Sequence, residues 1–130
     1  MSKMEEEFEA FFEEKKISFI RNDKNMFGTP DFSFDDGKIV LFLHGCYWHS
    51  HNCKDWKLDK IWQSRMNSTK QKDILVREKY LSMNIRYLRC WECEYLLEKA
   101  KVFHKTFRAI SESLSHPDNP RTNQKVLRTS

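Results

Sequence analysis

Residues 30–46 read PDFSFDDGKIVLFLHGC. Phe32 and Phe34 alternate with polar neighbours, the period of a β-strand. Asp35, Asp36 and Gly37 follow as a hairpin turn signal, because aspartate and glycine tolerate left-handed backbone. Ile39 to Leu43 are then apolar without interruption. A strand with one wet face would alternate, so this run predicts a central strand covered on both sides. A hairpin whose second strand is covered on both faces requires helices above and below it.

Those helices are found by working outward. Residues 3–16 carry Met4, Phe8, Phe11 and Phe12 at the spacing of one helix face, with glutamates near the start that suit the helix dipole. Residues 17–30 read as a connection that ends in the turn signal GTP. Residues 59–81 predict a long helix with an inward stripe of Trp62, Met66, Thr69, Asp73, Val76 and Tyr80. Its outer face carries Lys60, Lys70, Lys72, Arg77 and Lys79. Asp73 lies on the face that should be apolar, so it needs a hydrogen-bonded or cationic partner; a cap or a salt bridge would serve as well as a functional group. IRYLRCW, residues 85–91, alternates as a strand, and residues 94–114 predict a last helix with the stripe Leu96, Ala100, Phe103, Phe107, Ile110 and Leu114. The expected fold is a single α/β domain with a small mixed sheet flanked by helices, over residues 1–114. Residues 115–130, polar and basic with Pro117 and Pro120, are expected to be a flexible tail.

The chain has 130 residues and a net charge of +4. One lysine against six glutamates gives residues 1–14 a charge of −5, which leaves +9 for residues 15–130. A basic body with four tryptophans and ten phenylalanines suits a nucleic-acid partner, although the same charge also serves solubility. No apolar run has the length of a membrane span, and no signal-peptide core opens the chain, so a cytoplasmic protein is expected. In that compartment four cysteines point to metal ligation before disulfides.

Chemistry-bearing residues crowd the stretch HGCYWHSHNC, residues 44–53. Cys46, His49, His51, Cys53, Cys90 and Cys93 offer six ligands to a site that takes four, and mixed sulfur and nitrogen donors favour zinc. Cys90 could equally be a small apolar strand residue. Asp31 begins one hairpin strand, and Leu43-His44-Gly45 closes its partner. A carboxylate so placed is the skeleton of a restriction-type nuclease site, where it holds Mg2+ against a phosphate. The Glu-x-Lys usual after the second strand is absent.

GTPDF (28–32), LFLHGCYWHSHNC (41–53) and WEC (91–93) occur in an order that resembles the very short patch repair (Vsr) endonuclease family. A weaker match joins Trp62, Arg65 and Asp73, and the similarity covers residues 4–97. The resemblance implies a restriction-endonuclease-like fold, a structural Zn2+, a catalytic Mg2+ and double-stranded DNA as substrate. It implies zinc ligation by Cys46, His51, Cys53 and Cys93, leaving Cys90 outside. It places magnesium on Asp31 and the backbone carbonyl of Leu43. His49 would be the general base, His44 would lie against the phosphate, and Asp73 would support the base histidine. Glu5 aligns with a glutamate that contacts metal-bound water, with Glu6, Glu7 and Glu9 close by. Tyr47 and Trp48 match an aromatic pair that wedges into the DNA stack, a step least costly at a mismatch; packing over the zinc loop is the plainer role for them.

Repair members carry a longer segment before the first helix, one that grips DNA, and a longer stretch between Cys53 and Trp62. Strand nicking is therefore the better-supported expectation, and specificity for T:G mismatches the weaker one. A homing- or restriction-type catalytic domain, with site choice left to another region or a partner protein, is the alternative. A zinc-stabilised DNA-binding module without cleavage is the third. A monomer without membrane attachment is expected.

Overall fold

A computed structural model of the chain describes residues 2–45 and 60–115. The elements run α1 (Lys3–Glu14), β1 (Ile20–Arg21), β2 (Phe32–Phe34), β3 (Ile39–His44), α2 (Lys60–Ser82), β4 (Arg86–Trp91), α3 (Glu92–Leu97) and α4 (Lys99–Ser115). The four strands form one sheet in the order β1-β2-β3-β4. β1, β2 and β3 pair antiparallel, and β3 and β4 pair parallel. The mixed sheet follows from the connections: a tight turn can only reverse the chain, whereas α2 carries it back to start β4 in the same direction as β3.

The uninterrupted apolar run sits where its pattern requires. Ile39, Leu41 and Leu43 pack on one side with Phe8 and Phe12 of α1, Phe32, Phe34, Leu88, Cys90, Tyr95 and Ile110. Val40 and Phe42 pack on the other side with Val76 and Tyr80 of α2 and with Tyr87. Every residue of β3 is buried. In β4 the alternation sends Leu88 and Cys90 to the α1 side and Tyr87 to the α2 side, as the sequence predicts. Arg86 also turns to the α4 side, fully buried, and donates to the Ala109 carbonyl and the Ser113 hydroxyl. The hairpin turn is made by Asp35, Asp36 and Gly37 at φ of 52°, 54° and 82°.

Several boundaries differ from the sequence reading, each for a local reason. α1 stops at Glu14, two residues early. Lys16 takes φ 57°, and the Lys16 and Ile17 amides donate to the Glu13 and Phe12 carbonyls, a Schellman closure made without glycine. α2 ends the same way through Asn84 at φ 59°, with Ile85 donating to the Tyr80 carbonyl. The connection over residues 17–30 contains a two-residue strand, β1, too short to leave a periodic signal. The single helix predicted over residues 94–114 is two: Glu98, at φ −139° and ψ 54°, breaks it. α3 docks Tyr95 onto Phe8, and α4 then leaves in a new direction carrying Phe103 and Ile110 inward. Leu96 and Leu114 of the predicted stripe are consequently exposed.

Candidate active site

The period of β3 positions the site. Its last residue, His44, falls on the Val40 and Phe42 face, toward α2, while Leu43 falls on the α1 face. Two-fold alternation at the end of one strand thus presents groups to both helical layers. His44 is 3% exposed, edge-on to Phe42 and Trp91 at ring separations of 6.0 and 5.2 Å. Asp73 of α2 places Oδ2 4.0 Å from His44 Nδ1, an ion-pair distance and longer than a hydrogen bond. This explains a carboxylate on the inward stripe of α2: it faces a histidine at the sheet edge. The Val76 and Tyr80 positions of the same stripe are buried, as predicted.

On the other side, Asp31 stands immediately before β2. Its Oδ2 accepts from the Leu43 amide at 2.7 Å, and its own carbonyl accepts from Asn22 at 3.0 Å. The preceding loop is held from both sides. Asp23, buried, accepts from the Ser33 hydroxyl at 2.8 Å and from the Asn25 amide at 3.1 Å. Tyr80 donates its hydroxyl to the Phe27 carbonyl. Gly28 takes φ 74°, and a Cβ there would sit tightly, 3.1 Å from both methyls of Val76. Thr29 is driven to φ 49°, costly for a β-branched residue, by some 1–3 kcal/mol. The loop spends that strain in delivering Asp31 to the end of β3.

Asp31 does not stand alone. Its carboxyl is pushed up to about 6, foremost by burial. The Leu43 amide pulls it back, the Glu5 carboxyl raises it again by charge and by a hydrogen bond between the two side chains, and Arg21 lowers it. Like charge from Glu5 beside the partly buried Asp31 carboxylate makes the site costly to leave without a cation. Glu5 lies in the first turn of α1, behind the Ser2 cap that accepts from its amide. Arg21 grips it from β1: Nη2 lies 3.1 Å from Glu5 Oε2, and Nη1 lies 3.1 Å from Glu9 Oε2. Sequence reasoning passed over Arg21; two glutamates one helical turn apart beside a buried acid were the signal that a cation was needed.

The donors at this edge are carboxylate oxygens beside a strand-end backbone, hard ligands that fit Mg2+ and would suit a thiophilic metal poorly. Among the described residues no group of three or more His, Cys, Asp and Glu side chains comes together. Cys46, Tyr47, Trp48, His49, His51 and Cys53 lie outside the described residues. Of the two cysteines left open by the sequence, Cys90 is a core residue. It is 4% exposed, its thiol is pushed up to about 12 by burial foremost, and it donates to the Trp91 carbonyl. A metal needs thiolate, which that surrounding disfavours. Cys93 is partly exposed at the start of α3, two residues beyond Trp91, the register partner of His44.

Comparison with known proteins bears on the family of the chain. A family profile described as DNA mismatch endonuclease Vsr matches residues 2–55. The type II nicking enzyme V.HpaIIP of Haemophilus parainfluenzae is 30% identical over 104 residues, 74% of this chain and 72% of that enzyme. The type II nicking enzyme V.NmeAIP of Neisseria meningitidis is 29% identical over 98 residues, 72% of this chain and 69% of that one. The DNA mismatch endonuclease Vsr of Escherichia coli is 30% identical over 81 residues, 59% of this chain and about half, 52%, of its own length. Likeness that runs from α1 through β3 and extends over most of a relative's length goes beyond shared motifs: the chain belongs to the Vsr family of DNA endonucleases.

Proposed function

We propose that the chain nicks duplex DNA by Mg2+-dependent attack of water on a phosphodiester, with mismatched T:G pairs as one candidate target. The observation that carries the reading is the Asp31–Glu5 carboxyl pair at the end of β3, with Leu43 bonded to Asp31 and His44 on the opposite face. Asp31 and the Leu43 carbonyl would hold Mg2+, which when bound supplies positive charge to the phosphate and lowers the pKa of water. Glu5 orients water beside Asp31. His49 takes the proton from the attacking water, His44 contacts the phosphate, and Asp73 supports the base histidine. Tyr47 and Trp48 enter the base stack, where a mismatch lowers the cost of unstacking.

A structural Zn2+ on Cys46, His51, Cys53 and Cys93 would hold the segment after β3. The parallel register supports this. β3 and β4 end side by side, so the chain leaves for Cys46 at the same edge at which β4 leads to Cys93. Cys90, in the core, stays outside that set. Residues 1–114 form the nuclease unit and residues 115–130 a basic tail. A monomer acting in the cytoplasm is part of this reading. Among the described residues no helix is long and apolar enough to cross a membrane.

Relatives named as type II nicking enzymes favour a second reading, in which nicking is tied to a particular sequence and not to a mismatch. One experiment separates the two: purified protein and Mg2+ are given matched and T:G-mismatched duplexes of the same sequence context. Preference for the mismatch supports the first reading, and equal rates support the second. Wild-type nicking by both Asp31→Ala and His49→Ala would overturn the catalytic assignment.

A further inference from the structure

We infer that Arg21 is a positioning residue for the metal-binding carboxyls, gripping α1 at two points so that Glu5 is held against Asp31. The inference rests on the Mg2+-dependent reading of the Asp31 site.

Glu5 belongs to α1, whereas Asp31 belongs to the loop that enters the sheet, so side chains alone must hold the two in register. Arg21 is placed for this by β1, where it pairs with Phe32, the residue after Asp31. Its guanidinium lies over the Phe32 ring, 4.8 Å from the centroid, and its side chain is only 14% exposed. From that fixed seat it reaches Glu5 and Glu9, both at 3.1 Å. Residues four apart lie on one helix face, so gripping both fixes the rotation of α1 as well as the Glu5 rotamer. A planar guanidinium offers two separated nitrogens in a rigid fork, whereas an ammonium is a single point donor on a flexible stem. Without the grip, Glu5 would be free to swing its charge away from Asp31 into water. The two-residue strand β1 thus carries the residue that organises the acid pair.

The sign of the effect separates positioning from plain electrostatics. Deleting a positive charge beside a dication site should tighten metal binding if charge is all that Arg21 contributes. Deleting a residue that places a ligand should weaken it, by roughly tenfold for groups that orient metal-site residues.

The test measures Mn2+ binding to the full chain without DNA, from the electron paramagnetic resonance signal of free Mn2+. Mg2+ titrations of plasmid nicking are run beside it, and thermal melting checks each variant. Arg21→Ala is expected to weaken Mn2+ binding about tenfold and to raise the Mg2+ requirement for nicking in parallel. Glu5→Gln should behave alike, and the double variant no worse than the weaker single one. Arg21→Lys, which keeps the charge and drops the fork, should weaken binding less than Arg21→Ala, and it serves if the alanine variant does not fold. Unchanged or tighter binding in either Arg21 variant, or full additivity with Glu5→Gln, overturns the inference. Wild-type protein that neither binds Mn2+ nor nicks DNA would remove the reading of the site itself, an outcome distinct from any result on Arg21.

Discussion

Replacing Asp31 with asparagine should abolish nicking and yet make the metal-free protein more stable at neutral pH. Asparagine still offers an oxygen to the Leu43 amide, the bond that measures 2.7 Å in the structure. It removes the charge that burial and Glu5 oppose. Burial foremost, with Glu5, raises the Asp31 pKa from 3.8 to about 6. A carboxyl that binds its proton more tightly in the folded state stabilises the fold at low pH. That stability is lost as pH rises from about 4 to about 6, where the folded protein sheds the proton. A shift of roughly 2 units corresponds to about 3 kcal/mol, and the partial exposure of Asp31 reduces this to about 1–3 kcal/mol. For a domain of this size that is a rise in Tm of about 4–10 °C. Glu7, whose pKa is lowered by Lys99 and Tyr95, pulls stability the opposite way, losing it as pH falls, but it is common to both proteins and cancels. The assay is thermal melting of wild type and Asp31→Asn in chelator at half-unit steps from pH 4 to 8. Curves that run parallel across pH 4–6, or an asparagine variant less stable than wild type at pH 7.5, would refute the reasoning.

Three further outcomes follow from the packing. Phe8→Ala should cost about 3–5 kcal/mol in urea unfolding, since Phe8 is fully buried beneath Phe12, Tyr95 and Phe103. Tyr80→Phe should cost about 1–2 kcal/mol by leaving the Phe27 carbonyl without its donor, and it should slow nicking, because that loop delivers Asp31. Zinc measured in the purified protein should survive Cys90→Ala and be lost in Cys93→Ser; loss in Cys90→Ala alone would reverse the ligand assignment.

The site was partly legible in the sequence because its parts sit in unusual places. Asp73 was conspicuous on an apolar stripe, and the structure brings it within 4.0 Å of His44. Asp31 was conspicuous at a strand start, and it is bonded to Leu43, twelve residues away. The sequence choice of Glu5 from four nearby glutamates came from a resemblance; in the structure Glu5 is paired with Arg21 and raises the Asp31 carboxyl by its charge. Glu7, by contrast, bonds to Tyr95 and Lys99 and ties α1 to α3 and α4. No pattern within α1 separates these two glutamates, because both are acidic residues in its first half.

Local physics sufficed wherever one residue's neighbours in the chain decide its state. The hairpin at Asp35-Asp36-Gly37, the central strand at Ile39–Leu43 and the inward face of α2 are of this kind, since backbone preference and burial period act over a few residues. The break at Glu98 and the strand at Ile20–Arg21 are not, because each exists for a partner far along the chain: Tyr95 for Phe8, and Arg21 for Glu5 and Glu9. The burial of Cys90 is likewise decided by α1 and α4 together. Sequence alone therefore determined the layers and most of the chemical groups at their edge. Tertiary structure decided which carboxyls meet, because burial and charge in a folded site depend on distances through space that no spacing along the chain encodes.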